Sequence, residues 1–120
     1  MSVAADTPHI MYAIAFDLDT ETLKNTYGSP SYNNAYADIR KVLEGHGFEW
    51  QQGSVYFGGS SVNAVTCVIA SIALTNTYDW FSVSVRDIRM LRIEELNDLK
   101  PAIATATGNG YAKEPARRNA

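Results

Sequence analysis

The stretch from Met11 to Asp19, MYAIAFDLD, decides the fold. Tyr12, Ile14, Phe16 and Leu18 alternate with Met11, Ala13, Ala15 and Asp17, the period of two that sends successive side chains to opposite faces of a sheet. Both sets are largely apolar, so each face needs cover, and the strand suits the middle of a sheet better than its edge. Two acids close it. Asp17 and Asp19 fall in step with the small Ala13 and Ala15, and carboxylates at the end of a central strand need a physical reason.

The flanking chain supplies partners for this strand. Residues 1–9 show no periodicity around Pro8 and read as a flexible leader, which puts the folded domain at 10–99. Residues 20–29, with Asn25, Thr26 and Gly28 ahead of Pro30, read as a loop with at most one helical turn. A helix is predicted from Pro30 or Ser31 to about Gly45, with Ala35, Ile39, Val42, Leu43 and His46 near one stripe. Residues 48–51 and 55–57 form a hairpin around Gln52, Gly53 and Ser54. Beyond Gly58 and Gly59, Ser60 or Ser61 opens a second helix, expected to bury Val62, Val65, Val68, Ile69, Ile72 and Ala73, with Cys67 on its flank. The aromatic run YDWF at 78–81 leads to a last strand within 82–95. One of its faces carries Val85, Asp87, Arg89, Leu91 and Ile93, and the other Arg86, Ile88, Met90 and Arg92; charge on both suits an edge or a subunit interface. Residues 100–120 read as a disordered tail, too weakly basic for a nucleic-acid arm.

The order strand, helix, strand, strand, helix, strand predicts an α+β protein of the ferredoxin-like, split βαβ plan. Its four-stranded antiparallel sheet has the first and third strands central and two helices on one face. The other face stays open for a homodimer through the sheet or for stacking bases.

Composition narrows the function. The chain has 120 residues, is 46% hydrophobic and 19% charged, and carries a formal net charge of -3. One domain is expected, with an overall field that repels a polyanion at long range, so any nucleic-acid contact needs local arginines or a metal. The lone Cys67 forms no intrachain disulfide, and with no signal-like core and no apolar run long enough for a membrane the expected location is cytoplasmic.

Asp17 and Asp19 lead the residues capable of chemistry. Two apart at a strand end, they can share a hydrated Mg²⁺ or work with a symmetry mate; equally, Asp19 can cap the next turn and Asp17 can pair with an arginine. His46, in a GHG turn, can serve as a general acid or base, although closing the C-terminus of its helix is the role such a histidine more often plays. Tyr27, Asn33 and Asn34, with Tyr32 and Tyr36, form a polar and aromatic patch able to contact phosphates and bases, or to cap and pack. Arg86, Arg89 and Arg92, with Asp87, can clamp phosphates or make surface or subunit ion pairs. No phosphate loop, zinc cluster, nucleophile elbow or dinucleotide fingerprint is present.

The blocks MYAIAFDLD, SYNNAYADIRKVLEGHGFEWQQGSVYFGG, NAVTCVIA and YDWFSVSVRDIRMLRIEE together resemble the virulence-associated protein D (VapD) family over about residues 11–99. The resemblance implies a ferredoxin-like endoribonuclease, similar to the small nuclease-like subunit of CRISPR adaptation systems. It would act as a homodimer on single-stranded RNA, in some members as a toxin restrained by a small antitoxin protein. It carries the catalytic role to Asp17, which would also be the metal ligand, with Asp19 in support; for Tyr27, Asn33, His46 and Arg86 it matches blocks rather than roles. Two routes stand open. Mg²⁺ at Asp17 can activate water, or the RNA 2′-hydroxyl can attack its own phosphate with Asp17 or His46 as acid or base and no metal. The absence of a histidine pair favours the first. The alternative reading is an RNA-binding or regulatory homodimer without catalytic activity.

Overall fold

The computed structural model describes residues 10–28 and 30–108; the expected leader at 1–9 and the part of the expected tail at 109–120 lie outside them. Strand β1, Met11–Leu18, pairs antiparallel with β3, Val55–Gly58, on one side and with β4, Val85–Ile93, on the other. Strand β2, Phe48–Gln52, completes the sheet in the order β2-β3-β1-β4. This is the ferredoxin-like arrangement that the strand and helix order predicts, with helices α2, Asn34–Gly45, and α3, Ala64–Thr77, on one face.

The alternation in β1 divides its side chains as expected. Ile14, Phe16 and Leu18 enter the core with Ile39 and Leu43 of α2 and Cys67, Ala70 and Leu74 of α3. Each fully buried Leu or Ile contributes about 1.5–3 kcal/mol of transfer free energy, so this interdigitated layer is what fixes the helices on the sheet. The hairpin turns at Gly53, whose φ of +52° lies in the left-handed region that glycine enters without strain.

Four local expectations change. Residues 20–26 are a helix rather than a loop: α1, Thr20–Thr26, starts where the Asp19 carboxylate accepts from the Thr22 amide at 3.1 Å. The cap satisfies a donor that a helix start otherwise leaves unpaired, and that outweighs the poor helix propensity of Asn25 and Thr26. The YDWF run leads into a short helix α4, Phe81–Ser84, before β4 begins. In β4 a bulge sets Asp17 opposite Asp87 but Leu18 opposite Val85, so Arg86 is the extra residue and Val85 turns to the helix side instead of sharing a face with Asp87. Finally, Lys100–Gly108 forms a helix, α5, where no order was expected.

The second helix turns the opposite way from the expected one. Its buried stripe is Cys67, Ala70 and Leu74, while Val65, Val68, Ile69 and Ile72 are more than half exposed. The helix has no charged residue, so apolar side chains surround it and periodicity cannot say which stripe faces in. Small side chains decide the matter: Cys67 and Ala70 let α3 lie close to β1, where Val and Ile would hold it off.

The start of α3 also depends on a close backbone approach. A Cβ added at Gly58 would lie 2.5 Å from Val62 Cγ1 and 3.0 Å from the Tyr12 carbonyl oxygen, whereas one at Gly59 would meet only the Gly47 carbonyl at 3.5 Å. Gly58→Ala is therefore expected to cost about 1–3 kcal/mol by overpacking, and Gly59→Ala much less. Urea denaturation of the two variants side by side checks this.

Candidate active site at the end of β1

Asp17 lies at the C-terminal end of β1, on the face turned away from α2 and α3, directly opposite Asp87. Like charges facing each other across antiparallel strands repel, and each is answered by an arginine. The Arg86 Nε is 3.1 Å from Asp17 Oδ2, and the Arg89 Nε bonds both Asp87 oxygens at 3.1 and 3.2 Å. The bulge makes this possible: the extra residue in β4 brings the Arg86 guanidinium to Asp17. The four side chains are 48–71% exposed, so each ion pair is worth only about 0.2–1 kcal/mol and can open to an anionic ligand. The Tyr36 hydroxyl is held above its ordinary pKa, first by burial, then by the nearby Asp17 and Tyr32, which brings the first turn of α2 to the same end of the sheet.

The other candidates separate by place. Asn33 and Asn34 are exposed at the start of α2, near this end, and Asn33 makes no side-chain capping bond. Asp19 is engaged in the cap of α1, accepting from both the amide and the hydroxyl of Thr22; those two bonds, the hydroxyl first, lower its pKa. Tyr27 donates to Asp38 at 2.8 Å and packs its ring against Trp80 at 5.3 Å between centroids, and the Asp38 bond is the main cause of its raised pKa. His46 follows α2 at the opposite end of the sheet, where Phe48 pairs with Gly58; its Nδ1 lies 2.9 Å from the Val42 carbonyl, the helix-closing arrangement. Asp17, Arg86 and Arg89 are thus brought together, and His46 is not brought to them.

Tyr36 comes to the group from the polar and aromatic patch, and Asp87, which the sequence sets only beside its arginines, comes to it as the residue opposite Asp17. In the sequence Asp87 looks like a partner for its neighbouring arginines, and only the strand register sets it against Asp17. Among the described residues no group of three or more His, Cys, Asp or Glu could hold a metal. Mg²⁺ commonly takes one or two carboxylates and keeps its waters, and Asp17 with Asp87 meets that minimum.

Cys67 takes no part. It is buried under α3, and burial pushes its thiol pKa up, away from the reactive thiolate. A thiol reagent at neutral pH should label it only after denaturation; labelling of the native protein at the denatured rate would show that the α3 packing is wrong.

The family model described as "CRISPR associated protein Cas2" matches residues 10–96. A Riemerella anatipestifer protein named "Endoribonuclease VapD 2" is 52% identical over 94 residues, 78% of this chain and 100% of that relative. The Helicobacter pylori "Endoribonuclease VapD homolog" is 54% identical over 93 residues, 78% of this chain and 96% of its own length. The Dichelobacter nodosus "Endoribonuclease VapD" is 47% identical over 96 residues, 80% of this chain and 100% of the relative. Identity of this order over 96–100% of each relative, with a family model that spans both β1 and β4, places the chain in the VapD family of nuclease-like proteins, on a Cas2-type ferredoxin-like frame.

Proposed function

We propose that the protein is an endoribonuclease that cleaves single-stranded RNA at the Asp17 end of the sheet. It works as a homodimer, and as the toxin of a toxin-antitoxin pair it is restrained by a small partner protein. The observation that carries the reading is the exposed pair of opposed carboxylates, each held by an arginine, on a frame whose named relatives are endoribonucleases.

The chemistry follows from what the groups prefer. A guanidinium binds phosphate oxygens as readily as carboxylate oxygens, so an incoming phosphodiester competes for Arg86 and Arg89. Arg86 drawn to the phosphate leaves the Asp17 carboxylate free to take the proton of an attacking hydroxyl, while the positive charge moves to where negative charge develops. A bound Mg²⁺, held by Asp17 with Asp87, would supply further neutralisation at the phosphate and a more acidic water. Asn33, Asn34 and Tyr36 stand near enough to meet neighbouring nucleotides by hydrogen bonding and stacking. The homodimer is supported by the apolar part of the face away from the helices, where Met11 lies beside Ile93, Ala13 beside Phe57 and Leu91, and Ala15 beside Val55.

End-labelled single-stranded RNA incubated with the purified protein, with and without EDTA, tests the reading. Fragments ending in a 5′-phosphate indicate attack by water, and a 2′,3′-cyclic phosphate indicates attack by the 2′-hydroxyl. RNA that binds but stays whole with every divalent ion would overturn the nuclease in favour of an RNA-binding module.

A further inference from the structure

Trp50 stands opposite Tyr56 in the hairpin, and Tyr56 belongs to the core, so the indole projects on the helix side of the outer strand β2. Two contacts hold it in place. Its Nε1 donates to the Gly53 carbonyl at 2.8 Å, and the Arg40 Cζ of α2 lies 4.0 Å from the ring centroid. Among the described residues no other ring packs against it, and 41% of Trp50 stays exposed. A flat π-face is therefore presented already oriented, which lowers the ordering cost of binding.

Arg40 differs from the arginines of β4. Arg86, Arg89 and Arg92 each face a carboxylate, whereas Arg40 makes no ion pair among the described residues, Glu44 one turn on included. Its Nε is buried without a hydrogen-bond partner, the only side-chain nitrogen or oxygen of that kind among them. Burial raises the Tyr56 hydroxyl pKa, and the hydrogen bond with Arg40 works against it, so the guanidinium is held between the two rings. A positive charge kept beside an aromatic face and not neutralised by a carboxylate suits an anion that carries a flat group. In a protein of formal net charge -3, a polyanion is met at such local cations.

Position ties this pair to Asp17. Trp50 and Ile14 both register with Tyr56, so Trp50 lies two strands across and three residues back from Asp17, about 14 Å away in the plane of the sheet. Tyr36 stands in the interval. It precedes Arg40 by four residues on α2, hence on the same helix face and about 6 Å away, and its hydroxyl is near enough to Asp17 to be influenced by it. Asp17, Tyr36 and the Arg40–Trp50 stack thus follow one another along the β2 side of α2.

We infer that a single strand of RNA held at Asp17 continues over Tyr36 and stacks a base on the Trp50 indole, with Arg40 behind the ring to attract the neighbouring phosphate. This rests on the reading of the protein as a single-strand endoribonuclease and adds a binding subsite away from the cleaved bond. Every base has a π-face, so the platform favours longer strands without choosing their sequence.

A labelled single strand of about twelve nucleotides, fully 2′-O-methylated and in EDTA, is a probe that neither cleavage route can cut. Its fluorescence anisotropy is read with wild type, Trp50→Ala, Trp50→Leu and Trp50→Phe. The dissociation constant is expected to rise about tenfold in Trp50→Ala and in Trp50→Leu, which keeps apolar bulk on the strand but has no π-face, and to stay within about twofold in Trp50→Phe. On unmodified RNA the same factor should appear in KM, with kcat unchanged. Binding with this pattern but no cleavage of unmodified RNA would sink the nuclease reading and leave the platform standing. Equal dissociation constants in all the variants, with wild type still cleaving, would overturn the platform alone, and no binding by wild type would overturn it as well. So would a Trp50→Leu protein that binds RNA normally but changes its mass in solution, since Trp50 would then belong to a contact between proteins.

Discussion

Asp17→Asn is expected to lower cleavage of single-stranded RNA by about 10²–10⁴-fold, the range for losing a positioned acid-base group. The same protein should melt at nearly the wild-type temperature, because the ion pair lost is a surface one worth under about 1 kcal/mol. Removing one of two opposed carboxylates also relieves repulsion with Asp87, which offsets part of that loss. Activity and stability therefore separate cleanly at this position. Thermal melting and initial rates on one preparation read both, and an unchanged rate in pure Asp17→Asn would remove this carboxylate from the chemistry.

Leu43→Ala should act in the reverse sense. Leu43 is fully buried in α2 and belongs to the core that also holds Ile14 and Phe16, so truncation loses transfer free energy and leaves a cavity, together about 2–5 kcal/mol. Against a typical total of about 5–15 kcal/mol for a domain, that is a large share. The urea midpoint should fall with little change in slope, while Lys41→Ala, two residues away on the exposed side, should move it hardly at all. Equal shifts for both would mean that α2 is not docked on the sheet as described.

The sequence makes the sheet plan and the position of Asp17 readable because β1 obeys a strict alternation and glycines mark most of the turns. What it conceals depends on relations between distant segments. Asp87 becomes the counterpart of Asp17 only through the register in which β4 pairs with β1, and nothing near residue 87 announces that register. The inward stripe of α3 is hidden for a different reason: on a helix apolar all round, larger residues attract attention, while Cys67 and Ala70 are the ones whose size permits close packing. Asp19 shows a third limit. Its carboxylate in a two-residue pattern with Asp17 suggests shared chemistry, but the chain turns into α1 immediately after Leu18 and the side chain is taken up by Thr22.

The outermost strand has one more effect, on how molecules behave in concentrated solution. Strand β4 ends the sheet and offers a nine-residue row of backbone donors and acceptors along its free side, a template on which fibrous growth can start. Arg86, Arg89 and Arg92 set a hydrated guanidinium at every third residue of that row, each paired with a carboxylate, so a second β4 laid alongside would have to strip water from charged groups on both faces of the sheet. Neutralising all three should make the protein cloud and sediment at concentrations the parent tolerates. The guanidinium groups proposed to meet RNA would then also be what keeps the protein dispersed.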